Sequence, residues 1–443
     1  MAHERQPNER LRALTAQAGW SGADLAAAVN SVGAENGLDL HYDRSTIGHW
    51  MAGTRPRPPA PALIAEALTR RLGRPVSPMD LSTDQVKHPP PETNWKVDAV
   101  TRLVDLDTAR RDVPRGGAYS LHACAPPIWG QTPRLPPPTM PPDDLAGALA
   151  ARTATAMTRV LSDCDVTFGG GHALAAATSY LARDLAPRLR TTRAETARRT
   201  LFTAATELTY LCAFMNFDQN RNDRAQAYYH TALQLAVENN DPAAYAITLR
   251  ALSVQAHALG HHHSAQTLAE TALAGAPRNL PGATRAFLHG QGAVSAAATG
   301  DRHTALAHLN TAERHLQRAR VSHSVIGTYH PASLAHQQAT VLAALGDRSG
   351  AITILTTSIR NRPITERRSR ALTTATLAEL QLDQGNLDEA AATWQSFLDD
   401  YPHLKCRRAD NALRTLRARL RPHYRNPAAR ATLNRSTTPR ATQ

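Results

Sequence analysis

Three side chains near residue 45 have the types and spacing to read a nucleic acid. Arg44, Ser45 and His49 would share the outer face of a short helix beginning after Asp43. An arginine fork matches the two acceptors on the major-groove edge of guanine; a serine hydroxyl and an imidazole are less selective. Thr54, Arg55 and Arg57 follow that helix, and Arg12 and Ser21 precede it. Hydroxyl and guanidinium groups suit phosphate oxygens, which position a protein on a duplex without specifying sequence.

Other candidate chemistry is weaker. FGGGH (Phe168 to His172) could cradle an anion before a helix, but it lacks the Lys and Ser/Thr of a nucleotide loop. It reads as a structural turn. His257 and His261 stand four apart, but with no carboxylate or Cys near them in the chain they point away from a metal. No G-x-S-x-G, H-E-x-x-H or Walker loop occurs, so no enzyme, metal or cofactor is expected. Four scattered cysteines form no C-x-x-C pair, which fits a reducing cytoplasm. No apolar run approaches the ~18 residues of a membrane span, and MAHERQPNERL is no signal peptide.

The 443-residue chain carries a formal charge of +13, unevenly spread. Residues 1–75 hold nine basic and seven acidic side chains; residues 403–443 hold eleven basic and one acidic. The bulk charge therefore argues for a basic C-terminal segment, not for the candidate reading helix.

The reading residues need a scaffold. Residues 1–20 predict a first helix with Leu11, Leu14 and Ala18 inward. Ser21 with Asp24 forms a capping box, and Leu25, Ala28 and Val29 give the next helix an apolar face. Asp43 suits the N-cap of the reading helix, Ile47 and Trp50 its inner face, and Gly53 its left-handed end. A further helix is expected over 61–72. The runs ADLAAAV, STIGHWMAGTRP and PALIAEALTRRLG resemble the phage-repressor (XRE) class of helix-turn-helix domain. That resemblance implies a DNA-binding head over residues 1–82. One departure stands out: Asn30 to Tyr42 separates two helices usually joined by a turn of about 3–4 residues.

Residues 83–142 read as a linker. KHPPPE (Lys87 to Glu92) is a stiff break, and residues 126–142 hold eight prolines in seventeen positions. Between them Asn94 to Arg110 predicts one amphipathic helix with Val97, Val100, Leu103 and Val104 on its face.

Residues 143–421 turn Ala/Leu-rich and periodic. A turn residue (Asn220, Gly260, Gly300, Gly346, Gly385) precedes an alanine by five positions (Ala225, Ala265, Ala305, Ala351, Ala390). The alanines recur at 40, 40, 46 and 39 residues, the signature of stacked helical hairpins. Helices over 143–163, 171–186 and 407–421 would cap the array, and residues 422–443 read as a basic disordered tail. The predicted fold is all-α: a helix-turn-helix bundle plus a solenoid of about five hairpins.

The units resemble tetratricopeptide (TPR) repeats. That register implies a concave groove lined by Glu207, Tyr210, Phe214, Asp218, Arg250, His257, Ser333, His336 and Glu379. Arg250 and the histidines would take a carboxylate or a peptide backbone. Phe287, Gly290, Val294, Ala297 and Ala298 would make the middle of the groove apolar and narrow.

The whole, through FGGGHALAAATSYLARDLAP and the segment that follows, is similar to a family of actinobacterial regulators that join an XRE-type head to a TPR-like body. The plan is also similar to peptide-sensing regulators of Gram-positive bacteria. The implied function is transcription regulation, of secondary metabolism or development. The implied partners are a double-stranded DNA operator, a second copy of the chain, and an effector peptide, small molecule or partner protein in the groove. The alternative is a protein-interaction adaptor whose head is vestigial or only dimerising.

Overall fold

A computed structural model describes residues 6–81, 97–111, 117–125, 129, 145–319 and 329–437. Among them every regular element is helical.

The N-terminal head has four helices: α1 (Glu9–Gln17), α2 (Gly22–Glu35), α3 (Arg44–Met51) and α4 (Ala60–Leu72). Each of the first three starts on a side chain that accepts an otherwise orphaned N–H. Asn8 accepts from Leu11, Ser21 and Asp24 form the reciprocal capping box, and Asp43 accepts from Thr46 at 2.7 Å. Gly53 at φ +101° lets the chain leave α3 in the left-handed region. Leu11, Leu25, Val29, Ile47, Leu63, Ile64 and Leu68 are sealed from solvent. Burial of one such side chain contributes about 1.5–3 kcal/mol. Trp50 closes the core edge-on to Tyr42, ring centroids 5.0 Å apart.

The long connection before α3 is pinned, not loose. Gly37 at φ +69° follows the end of α2. Asn30 then holds Tyr42 twice: its amide donates to Tyr42 O at 2.8 Å and its Oδ1 accepts from Tyr42 N at 3.0 Å. Those bonds set where α3 begins.

In the linker, α5 (Ala99–Arg111) packs against the body. Its buried face is Val100 and Leu103, whereas Val104, expected on that face, is exposed. The proline-rich stretch and KHPPPE lie outside the described residues, apart from Trp129, which meets Tyr245 edge-on.

The body begins with α6 (Leu145–Phe168), α7 (Gly170–Tyr180) and α8 (Ala186–Thr191), the last two joined through a π turn at Leu181–Leu185. Five hairpins follow: α9 (Glu195–Asp218) with α10 (Asn222–Glu238), α11 (Pro242–Ala258) with α12 (His262–Gly275), α13 (Gly282–Ala298) with α14 (Arg302–Gln317), α15 (Pro331–Ala344) with α16 (Arg348–Arg360), and α17 (Arg367–Asp383) with α18 (Leu387–Asp400). All five turn residues have positive φ. All five periodic alanines are inaccessible, because only a methyl fits where the two helices of a hairpin cross. Then come α19 (Arg407–Leu420) and α20 (Pro427–Ser436).

One feature corrects the sequence expectation and a second goes beyond it. Much of the basic tail is helical, not disordered: in α20, Ala429 and Thr432 are buried against the last hairpin and Gln395 donates to Thr432 Oγ1 at 2.9 Å. Arg435 of the tail pairs with Asp399, and Arg417 of the preceding helix donates to Ser436 at the tail's end. The second is that the groove does not run open to its end. The superhelix turns until its last hairpin meets its first helices. Buried Arg368 of α17 lies 3.2 Å from Asp165 of α6 and 3.4 Å from Asp218 of α9. Lys405 N donates to Phe168 O at 2.8 Å, and Lys405 O accepts from Gly171 N at 2.9 Å. The FGGGH run is this seam. A Cβ on Gly170 would sit 2.8 Å from the Met215 backbone, and one on Gly171 would sit 2.6 Å from Lys405 O.

Candidate functional site

The outer face of α3 is free of the protein. Arg44, Ser45, Gly48 and His49 are all exposed, while Ile47 and Trp50 hold the helix to the core from behind. The stem of Arg44 passes over the start of α2, with its Cγ 3.6 Å from where a Cβ on Gly22 would lie. Arg44 and Ser21 are therefore neighbours at two helix N-termini. Ser21 is exposed but already tied to Asp24, its Oγ donating at 2.7 Å. At the other end of α3, Thr54 N donates to His49 O at 3.0 Å. Thr54 and Arg55 line a small hollow with Asn8, and Arg55 and Arg57 are exposed. Asn8 N donates to Met51 O at 3.0 Å, which brings the start of α1 to the same side. Arg12 is exposed and pairs with Glu9 at 3.1 Å.

The head is docked on the body by residues that local patterns do not single out. Arg70 of α4 grips both carboxylate oxygens of Glu35, at 2.7 and 2.8 Å, and donates to Glu66 and to Tyr119 O. Glu66 accepts from Leu121 N at 2.9 Å. His261, in the turn before α12, lies 3.3 Å from Glu35 and stacks on Tyr119. Asn222 donates to Glu35 O, and Asn36 accepts from Asp223 N. The histidine triplet thus contributes a dock contact; among the described residues no group of three or more His, Cys, Asp and Glu could hold a metal.

The predicted groove residues separate into three groups. Asp218 and Phe214 belong to the closure seam: Asp218 is fully buried beside Arg368, whose guanidinium also covers the Phe214 ring at 4.5 Å. Tyr210 is buried, and half-buried Arg250 stacks 3.7 Å over Phe287. Gly290 there leaves room for Tyr329 to donate to Gln337; a Cβ would fall 2.0 Å from the Gln337 side chain. Glu207, His257, Ser333, His336 and Glu379 are half-buried.

Burial alters the charges available. It pushes the His336 imidazole down to about 4, aided by Arg362 and Arg408, and lowers His257, aided by His262. The shift favours the neutral imidazole in both, a form that can donate to or accept from a ligand. Burial also raises Glu207 to about 7 and raises Glu379.

A cleft of about 590 Å³ opens where the head, the first hairpins and the closing helices meet. Ala34 and Glu35 of α2, Asn220 and Asn222 at the first turn, Glu379 of α17, and Arg408 and Asn411 of α19 line it. Arg408 is only loosely tied, 3.9 Å from Asp218 and 5.0 Å over the Phe217 ring. The cleft offers opposite charges and several amides in a volume typical of ligand sites.

Comparison with known proteins agrees with part of this picture. Residues 11–83 match the model of the SP15 N-terminal domain, and residues 376–403 match a tetratricopeptide repeat model. The C-terminal body is a TPR-like repeat domain. No curated protein matches the chain. A similar solved structure is titled "Crystal structure of APC/C hetero-tetramer Cut9-Hcn1", at 14% identity and a TM-score of 0.33. The alignment covers 66% of this chain and 47% of that one, so this chain spans about half its length. The tetratricopeptide match covers most of the last hairpin, where the sequence places Gly385, Ala390, Trp394 and Pro402 in register.

Proposed function

We propose that this protein is a sequence-specific DNA-binding transcriptional regulator of the XRE helix-turn-helix type, cytoplasmic, and active as a homodimer. The exposed face of α3 carries the reading. A capped helix displays Arg44, Ser45 and His49 outward, with a second helix N-terminus beside it and Arg55 and Arg57 flanking its end. Such a surface suits major-groove reading between phosphate contacts. Two heads on one dimer would read a two-fold operator and fix its half-site spacing. Such a target has two half-sites about one helical turn, or a multiple of it, apart.

A TPR-like body suits protein interaction, and we assign it the effector role. The cleft beside Glu35 is the favoured place for a peptide or polar small molecule, with Arg408 taking an acid and Glu379 an amine. An effector there would touch the head dock directly. It changes DNA binding only if it binds the docked and undocked arrangements differently. Control of secondary metabolism or development is the regulatory setting we favour, from the resemblance to actinobacterial regulators.

The test is selection of genomic fragments by the purified full-length protein near physiological salt, with Arg44→Ala beside it. One recurrent palindromic motif, lost in the variant, supports the reading. Indiscriminate or absent recovery by both proteins favours the adaptor alternative, for which the interaction body and the docked head speak.

A further inference from the structure

Helix α6 shows an apolar stripe that nothing in the described fold covers. The described residues leave ten large hydrophobic side chains exposed, and five are on this one helix. They are Leu145 (83% exposed), Leu149 (64%), Met157 (37%), Val160 (63%) and Phe168 (43%). Their spacing of four, eight, three and eight residues keeps them on one side of a helix. The opposite side, Ala151, Ala154, Thr158 and Asp165, is buried within the body. A contiguous exposed stripe of this kind marks an interaction surface, whereas single exposed apolar residues do not.

The charges beside the stripe point to its occupant. Arg152 and Asp163 are both exposed and form no ion pair among the described residues. They lie five and six residues to either side of Met157, and eleven residues is just over three helical turns, so both border the same flank. In an antiparallel helix pair related by a two-fold axis, same-flank residues of the two copies face each other, and each contact occurs twice. Arg152 then meets Asp163 of the partner subunit, and the reverse. A parallel pair gives neither contact.

We infer that α6 is the dimer interface of this protein, packed antiparallel on α6 of a second copy across Met157. The inference rests on the dimeric part of the function proposed above and gives it a location. Roughly 100 Å² from each of ten such side chains reaches the ~1,000 Å² that a specific interface needs. The pairing also fixes how the two heads are carried, since each body holds its own head through His261 and Asn222 at Glu35.

Sedimentation equilibrium of the full-length protein at tens of micromolar tests this without DNA. Wild type is expected at twice the chain mass. Leu149→Glu with Val160→Glu should halve that mass while the circular dichroism spectrum stays unchanged, and Tm should no longer rise with protein concentration. Arg152→Asp should weaken the dimer at least several-fold, as should Asp163→Arg. The two reversals combined should restore it, which a merely structural role would not produce. A monomeric wild type overturns the proposal, and so does a double Glu variant that remains dimeric. A lower Tm in a monomer of unchanged mass would mean that the stripe is covered from within one chain. A dimer that binds no defined DNA motif would leave this interface standing and remove only the DNA reading.

Discussion

At the scale of single residues, the proposed DNA reading gives Arg44 and Arg55 different roles. Arg44 lies on the outward face of α3 and Arg55 beyond its end. Arg44→Ala should lower discrimination between operator and mismatched DNA by about 1–3 kcal/mol, measured by competition binding. Arg55→Ala should weaken binding to all sequences and reduce the salt slope by about one. Wild-type behaviour in both would remove α3 as the reading helix. Glu207 makes a different prediction. Burial holds its carboxyl at about 7, above the ordinary 4.5, so the folded state binds the extra proton between those values. Stability from this group is therefore present at low pH and lost as pH rises through 7. Glu207→Gln should raise Tm by roughly 1–2 °C at pH 8 and by nothing at pH 5. An equal gain at both pH values would assign the effect to packing.

At the scale of elements, the helices were largely legible because capping and periodicity are local. The capping box at Ser21, the N-cap Asp43, and the five positive-φ turn residues each stand where neighbouring residues demand them. The misjudged elements depend on distant partners. Taken alone, α20 is short and basic, with too little apolar surface to predict order; it is ordered because α18 supplies a wall for Ala429 and Thr432. Truncation after His423 should therefore lower Tm by roughly 2–5 °C, by differential scanning calorimetry. An unchanged Tm would restore the view of a dispensable tail. Val104 fails for the same reason: its helix faces α10 and α8 through Val100 and Leu103, and that angle is set by the packing partner.

At the scale of the whole molecule, the head and the closing seam share one neighbourhood. Glu35 lines the cleft, bonds Arg70 and approaches His261, so it links the head to the body and to any ligand between them. Glu35→Ala removes that link while sparing the head core. The radius of gyration from small-angle scattering should rise, and amide exchange at the end of α2 should quicken. No change in either would mean that the dock is held by packing alone. Closure has the same long-range character. Arg368 meets Asp165, which is 203 residues away in sequence, and a buried pair that loses one partner costs about 3–5 kcal/mol. The sequence by itself determined the helical class, the hairpin register and the residues that α3 presents, because periods, caps and glycine turns act over a few residues. Only the tertiary structure decided that the array closes, that the head is clamped and that burial lowers the groove histidines. A small rotation per hairpin accumulates over five hairpins, and whether the ends meet depends on that sum, which no single repeat encodes.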